Sequence, residues 1–277
     1  DNNFDRSGGN RIIGKTLVMF VLYFLPFVLL MAVELTAWQY IICSIIMGVG
    51  VAGIGLGIMH EAVHGSFSNK KWVNTVFGYS LNLIGGNMLS WRIQHNILHH
   101  SFTNVRGLDE DLEAGNIMRF TPHEPWKPRH RFQYIYAWAL YSLMTFSWVL
   151  VKDFKRIAKY HKLGLLEGQN VKFSNAMLTI AVSKIVYISY MIILPIFVGG
   201  YSPVVVLAGF VLMHLIGGLM LAMIFQPAHI MEDHDFVPDG VSELEMCYEA
   251  HQLSTTSNFA PTNKLLTWFC GGLTYQV

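Results

Sequence analysis

The chain has 277 residues, of which 53% are hydrophobic and only 13% carry a formal charge, and its net charge is +1. Soluble domains carry about 25% charged residues, so this composition indicates an integral membrane protein. The near-neutral charge gives no indication of a nucleic-acid partner. The cysteines, Cys43, Cys247 and Cys270, follow no C-x-x-C spacing and therefore indicate neither a disulfide framework nor a zinc knuckle.

Four apolar runs are long enough to cross a bilayer, which takes about 20 residues of helix. The predicted spans are about 16–33, 38–59, 177–198 and 204–225. The short turns "ELTAW" and "GGYSP" join these runs in pairs, so we expect an all-α membrane protein with two transmembrane hairpins. Within the second run, Gly53 and Gly57 form a G-x-x-x-G step, which allows close helix contact in lipid.

Lysine and arginine predict the orientation of the spans. Neither short turn contains one, whereas the N-terminus has Arg6, Arg11 and Lys15 and the stretch 60–176 has fourteen. By the positive-inside rule, both turns face outward and the rest faces the cytoplasm. The exception is Lys184, inside the third run, for which we expect snorkelling to the inner interface, with a polar contact in a substrate cavity as the alternative.

Two further segments are predicted to lie in the membrane interface. The segment 132–151 is long enough to span, but it is rich in tyrosine and tryptophan and is interrupted by serine and threonine. The segment 73–89 is short, amphipathic and rich in glycine and asparagine. If 132–151 stays interfacial, everything after the fourth run returns to the cytoplasmic side.

Two histidine motifs follow the second run. In "HEAVH", His60 and His64 are four residues apart, and in "HNILHH", His95 and His99 repeat this spacing. Four residues of α-helix correspond to about 40° of rotation and about 6 Å of rise, so each pair leaves one face and can chelate an ion. His100 points about 100° away from His99 and could serve a second ion nearby. Neutral imidazole suits zinc, copper, iron and nickel.

The motifs leave alternatives open. "HEAVH" matches the H-E-x-x-H pattern of zinc proteases, in which the glutamate acts as general base, but an intramembrane protease leaves "HNILHH" unexplained. A membrane metal transporter would need histidines or acids within the spans, where the sequence offers His214 and Lys184.

The strings "HEAVHGSF" and "HNILHHSFTN" resemble the first two histidine boxes of the membrane fatty acid desaturases. The resemblance continues in order and spacing through "FQPAHI" at 225–230, "HQLSTTSNFA" at 251–260 and "WFCGGLTYQV" at 268–277. It is strongest with bacterial acyl-lipid or acyl-CoA desaturases of the linoleoyl type. It implies four spanning helices, interfacial helices and a cytoplasmic histidine-rich cap in an integral protein of the bacterial inner membrane.

The resemblance also implies two iron ions ligated by histidine, with O₂ as co-substrate for desaturation of a fatty acyl chain linked to lipid or CoA. Carried over by position, the ligands are His60, His64, His95, His99, His100 and His229. Candidates to support these ligands are His251, Gln226 and Asn104, with a capping role as the alternative for His251. An iron site of this kind could instead insert oxygen, as in a hydroxylase, epoxidase or ketolase, and the histidine boxes do not distinguish these outcomes.

The remaining polar residues receive separate predictions. His214 is predicted to be buried and hydrogen-bonded, and the acidic string "LDEDLEAG" at 108–115 to be a solvated face partly paired with Arg106. Asp153 is predicted to belong to an interfacial charge cluster with its basic neighbours. The histidines predicted to be solvated loop residues are His123, His130, His161 and His234. Trp91 and Gln94 are predicted to line the substrate cavity.

Electrons must come from another protein, because the sequence has no G-x-G-x-x-G after a strand, no flavin motif and no fused haem domain. The resemblance implies an external ferredoxin or a small b-type cytochrome. The basic residues that could steer such an acidic donor, or bind phospholipid headgroups equally well, are Lys152, Lys155, Arg156, Lys159 and Lys162.

The family's third box resembles Q-x-E-H-H, and it would follow "CGGLTYQV", which stops at Gln276 and Val277. We therefore expect the chain to be a C-terminally incomplete desaturase domain, to bind iron substoichiometrically and to have no desaturase activity by itself.

Overall fold

A computed structural model describes residues 8–113, 115, 117–241 and 246–275. Arg6, Gln276 and Val277, on which predictions were made, lie outside these residues. All regular secondary structure in the described part of the chain is helical, apart from one isolated parallel bridge between Val105 and Val237. The predicted all-α fold is confirmed.

The helices are numbered in chain order. They are α1 (Gly9–Ala32), α2 (Ala37–Val63), α3 (Lys71–Gly78), α4 (Ser80–Leu83), α5 (Met88–Arg92), α6 (Gln133–Ser142), α7 (Met144–Lys162), α8 (Phe173–Phe197), α9 (Pro203–His229), α10 (Tyr248–Thr255) and α11 (Lys264–Phe269). Short 3₁₀ turns cover Glu110–Leu112, Pro128–Phe132 and Glu167–Gln169.

Helices α1, α2, α8 and α9 are long and apolar enough to cross a membrane, and each overlies one of the four predicted runs. The segment 132–151 forms α6 and the start of α7, which meet with a bend of 52°. Counted together, this bent pair is also long and apolar enough to span, so its interfacial position stays a prediction. The segment 73–89 is broken into three short helices, with Trp72 and Val76 of α3 exposed.

Helix α2 is the most buried of the four long helices and packs between α1 and α9. Two of its glycines receive side chains from α1. A Cβ at Gly53 would collide with the sulfur of Met19, and a Cβ at Gly57 would lie 2.9 Å from Cε of Lys15. The G-x-x-x-G step thus forms two holes one helical turn apart, and α1 fills both.

Lys184 does not snorkel. It is buried, and its Nζ donates to Oδ2 of Asp153 and to the carbonyl of Gly85, both at 2.5 Å. Asp153 is itself only 5% exposed, so neither residue belongs to an interfacial charge cluster. The snorkelling prediction is wrong because a carboxylate from α7 reaches the ammonium group inside the helix bundle.

The buried position of His214 is confirmed. This residue is fully buried in α9, and its ring nitrogens are hydrogen-bonded to the hydroxyl groups of Tyr187 at 2.7 Å and Thr145 at 3.0 Å. These contacts join α9 to α8 and α7, so His214 and Lys184 both serve internal packing, and neither lines a transport path.

Candidate metal centre

Both histidine motifs lie at π-helical turns. One π turn, Gly55–Met59, ends directly before His60, and another, Ile93–His99, contains most of the second motif. Within it, the N–H of His100 donates to the carbonyl of His95 at 3.0 Å, five residues earlier. In an α-helix a five-residue step would turn the side chain about 140° away, but the π turn brings both rings to one side. Such turns occur frequently at functional sites.

The first group of histidines is built around His95. Its Nε2 lies 3.0 Å from Nε2 of His60 and 3.2 Å from Nε2 of His100, which is 3.3 Å from Nε2 of His64. Four imidazoles therefore direct the same ring nitrogen toward one point. His100 therefore points away from His99, as predicted, and lies with His64 and His95; which ion it serves stays a prediction.

The second group joins the second motif to the end of α9. Nε2 of His99 lies 3.2 Å from Nε2 of His229. The His95 and His99 rings stack with centroids 5.3 Å apart, so the two groups are adjacent. His95, His99 and Asp111 also offer ligand atoms within 4.8 Å of one another.

Asp109 binds the outer nitrogen of His99. Both carboxylate oxygens lie 3.1 Å from Nδ1, and the Asp109 side chain is 1% exposed. The same carboxylate accepts the backbone N–H groups of Asn104 and Asp111, each at 2.9 Å. An Nδ1–H donated to Asp109 leaves the lone pair of His99 on Nε2, which faces His229.

The predicted solvated acidic face is therefore wrong for three consecutive residues. Asp109 and Glu110 are buried, and Asp111 is hydrogen-bonded to Gln94 and lies 3.6 Å from Nδ1 of His99. Glu110 accepts a hydrogen bond from Tyr160 and pairs with Arg156 and Lys159. Burial of this string requires the chain to fold back after the second motif, which no local pattern of residues indicates.

Arg106 does not pair with the acidic string. Its Nη1 lies 3.3 Å from Asp239 and donates to the carbonyl of His123 at 3.0 Å. The left-handed backbone of Gly107, at φ +82°, and of Asn104, at φ +57°, turns the chain so that Arg106 points away while Asp109 points inward.

The pKa values of the ring nitrogens follow from burial and charge. Burial, reinforced by neighbouring histidines, lowers the pKa of His95 well below its usual range and that of His100 to about 4. Burial also opposes protonation of His99, but Asp109 and Asp111 outweigh it and raise the pKa of His99 to about 9. His95 and His100 are thus neutral at pH 7, the form in which imidazole binds metals.

The residues predicted to support the ligands contact the second motif or α9. Asn104 is fully buried and donates to the carbonyl of His229 at 2.9 Å, and His251 is hydrogen-bonded to the carbonyl of Thr103 at 2.7 Å. These contacts hold backbone rather than imidazole nitrogens. Gln226 lines the cavity beside His229, and its Oε1 is buried without a hydrogen-bond partner among the described residues. Their role as supporting residues stays a prediction.

Not all of the four remaining histidines are solvated. His234 is 8% exposed and its Nε2 lies 2.5 Å from the hydroxyl of Ser257, so the prediction for it is wrong. His123 is hydrogen-bonded to a backbone carbonyl, His130 accepts a backbone N–H, and His161 stacks on Phe173. None of the four lies in the groups described above.

A cavity of about 420 Å³ opens beside both groups. The rings of Trp91, Trp148 and Phe225 form its apolar wall, and Gln94 and Lys152 contribute polar atoms. Trp91 stacks on His95 with centroids 4.2 Å apart. Trp91 and Gln94 both line this cavity, and its use as the substrate cavity stays a prediction.

Glu61 does not occupy the position of a zinc-protease base. Its Oε1 lies 3.8 Å from Nδ1 of His60, whereas Nε2 of that ring faces His95. The other oxygen accepts a hydrogen bond from Ser66 at 2.7 Å. A general base must reach the water bound to the metal, and this carboxylate lies on the opposite side of the ring.

The donor set fits a metal. In the first group, neutral imidazoles packed Nε2 to Nε2 place lone pairs against one another, and a shared cation satisfies them. Nδ1 of His60 and of His229 is buried without a hydrogen-bond partner in the described part of the chain, so neither ring is oriented by an alternative hydrogen bond. Histidine-rich sites of this kind suit iron or zinc.

Comparison with known proteins identifies the family. A family model described as fatty acid desaturase matches residues 35–277. The chain is 30% identical over 243 residues to an sn-1 linoleoyl-lipid 6-desaturase of Arthrospira platensis and 31% identical over 240 residues to one of Synechocystis sp.. It is 32% identical over 241 residues to an acyl-lipid (8-3)-desaturase of Physcomitrium patens.

These alignments cover 86%, 84% and 83% of the chain, but only 64%, 64% and 48% of the three relatives. The chain therefore spans less than two thirds of the length of the proteins it matches.

Proposed function

The chain belongs to the fatty acid desaturase family, and we propose that it provides the membrane domain and most of the iron ligands of an O₂-dependent acyl-lipid desaturase. The observation that carries this proposal is the convergence of six histidine Nε2 atoms beside one cavity that has an aromatic wall. The proposed ligands are His60, His64, His95 and His100 in the first group and His99 and His229 in the second.

The reaction removes two hydrogens from adjacent methylenes and reduces O₂ to two waters, which requires two further electrons and two protons from outside. When bound, iron with O₂ would supply the oxidant for an unactivated C–H bond. Neutral imidazoles would leave that metal electron-poor, whereas carboxylate ligands would stabilise its oxidised form.

The protein's own contribution is to position the acyl chain and exclude water. The apolar wall of Trp91, Trp148 and Phe225 would hold methylenes beside His95 and His99. The relatives are named for lipid-linked substrates, and we propose a lipid-linked acyl chain in preference to acyl-CoA.

The electron donor is proposed to be an external ferredoxin or small b-type cytochrome that approaches from the cytoplasm. Of the five basic residues predicted to steer it, Arg156 pairs with Glu110, and Lys159 pairs with Glu110 and Glu113. Lys155 and Lys162 have no acidic partner among the described residues and would carry the attraction of an acidic donor.

The test is lipid profiling of a host that expresses the complete gene and is supplied with linoleoyl lipid. We expect a new, more unsaturated acyl chain that is absent when His95→Ala is expressed at the same level. A hydroxylated or epoxidised product, or an unchanged product with His95→Ala, would contradict the proposal.

A further inference from the structure

Glu61 follows the first proposed ligand directly, and its carboxylate is held on the outer side of that ring. Oε2 accepts the hydrogen bond from Ser66, and Oε1 lies 3.8 Å from Nδ1 of His60. That Nδ1 is buried and has no hydrogen-bond partner among the described residues. The carboxylate is therefore placed to accept the Nδ1–H after a small rotation of the ring.

A buried cation lies beside this carboxylate. Lys15 of α1 is only 8% exposed, although it was predicted to mark the cytoplasmic N-terminus. Its Nζ lies 3.1 Å from the position that a Cβ on Gly271 would occupy, and Oε1 of Glu61 lies 3.3 Å from the same position. The two opposite charges thus border one point of the C-terminal loop, and buried charges are retained where they compensate each other.

Glycine leaves room for the Lys15 side chain at both places where it passes. A Cβ at Gly57 of α2 would lie 3.0 Å from Nζ of Lys15 and 3.2 Å from the carbonyl of Phe269. Gly271 has φ +76°, which only glycine adopts without strain. Helix α1, helix α2 and the C-terminal loop therefore meet at this pair of charges.

We propose that Glu61, held by Ser66 and with the buried Lys15 as a nearby counter-charge, is a positioning residue that orients the imidazole of His60. An Nδ1–H donated to the carboxylate keeps the lone pair on Nε2, where it faces His95 and the first group. Carboxylates commonly act in this way on histidines that bind metals, and their loss costs about 10- to 100-fold in metal affinity. The inference rests on the proposed function in requiring His60 to be a metal ligand.

The first test measures the affinity of the purified 277-residue chain for Fe²⁺ under anaerobic conditions. Glu61→Met is expected to weaken binding at least tenfold, by analogy with other carboxylates that orient ligands. Glu167→Met is the matched control, because Glu167 is exposed in the 3₁₀ turn Glu167–Gln169, and it is expected to leave the affinity unchanged.

A double variant separates positioning from folding. Glu61→Met alone leaves Lys15 buried without its counter-charge, whereas Lys15→Met with Glu61→Met removes both charges and restores the thermal stability of the metal-free chain. We expect the Fe²⁺ affinity to stay low in the double variant. We also expect the absorption band of bound Co²⁺ to be shifted from its wild-type position in the double variant, as in Glu61→Met alone. Recovery of both affinity and stability would show that the pair only supports the fold, and would overturn the inference.

A steric pair of variants tests the same point without removing a charge. Gly271→Ala and Gly272→Ala both place alanine at positive φ, but only a Cβ at Gly271 meets Lys15 and Glu61, and nothing lies within 4 Å of one at Gly272. We expect Gly271→Ala to weaken Fe²⁺ binding more than Gly272→Ala does. Equal affinities in these two variants, or in Glu61→Met and the wild-type chain, would refute the role of Glu61 and leave the proposed function standing. A wild-type chain that binds no Fe²⁺ would refute the proposed function, and the inference with it.

Discussion

Both oxygens of the Asp109 carboxylate lie 3.1 Å from Nδ1 of His99, in a contact that solvent does not reach. The two residues are ten positions apart and come from opposite ends of the loop that follows the second histidine motif. When His99 gives up a proton to bind a metal, this relationship keeps the remaining proton on Nδ1 and leaves the lone pair on Nε2, which faces His229.

Asp109→Asn is expected to reverse that arrangement. The amide NH₂ would donate to Nδ1 of His99, so the ring would carry its proton on Nε2 and lose the lone pair proposed to bind iron. We expect the Fe²⁺ affinity of the second group to fall by about 10- to 100-fold. Anaerobic titration of the purified chain measures this, with Asp239→Asn as the exposed control. Equal affinities in the two variants would show that Asp109 does not orient the ligand.

Much of the membrane architecture could be predicted from the sequence because length and hydropathy specify a spanning helix almost alone. The site was harder to predict. The six histidines were identified from their motifs, but α-helical geometry paired His95 with His99, whereas the π turn places His95 with His100 and leaves His99 facing His229. Asp109 was misassigned, and the burial of Lys15 was not predicted, because the burial of a charge depends on partners distant in sequence: His99 in one case, and Glu61 and the loop at Gly271 in the other.

The buried pair of Lys184 and Asp153 gives a prediction about stability. Removing one partner leaves an uncompensated buried charge, which typically costs about 3–5 kcal/mol. Lys184→Met or Asp153→Leu should therefore lower the unfolding temperature in detergent strongly, and the two together should lower it less than either alone. A double variant as unstable as the sum of the two single variants would indicate that their charges do not interact.

The packing of α1 against α2 gives a second stability prediction. Gly53→Ala places a Cβ against the sulfur of Met19, and overpacking of this kind costs about 1–3 kcal/mol. Met19→Ala in the same chain makes room for that Cβ, so the penalty of Gly53→Ala should be smaller in a Met19→Ala background. Thermal unfolding of the four chains measures the coupling, and an unchanged penalty would contradict close packing at this point.

The predicted orientation can be tested by cysteine labelling in membranes. Single cysteines at Ser101 and Ser202 are both at exposed positions, one beside the second histidine motif and the other in the turn before α9. They are expected to react with a membrane-impermeant reagent from opposite sides, because the turn lacks lysine and arginine. Cys247 is exposed and must be replaced first. Labelling of both positions from one side would contradict the topology.

The most direct test is the iron content of the purified chain and of its His95→Ala variant. His95 lies at the centre of the first group and stacks on His99 of the second. The control is His161→Ala, which removes a ring that stacks on Phe173 outside both groups. We predict that the wild-type chain and His161→Ala bind Fe²⁺ with the same affinity, whereas His95→Ala, although folded and inserted, loses most of it. Undiminished Fe²⁺ binding by His95→Ala would contradict the central claim that the converging histidines form the metal centre.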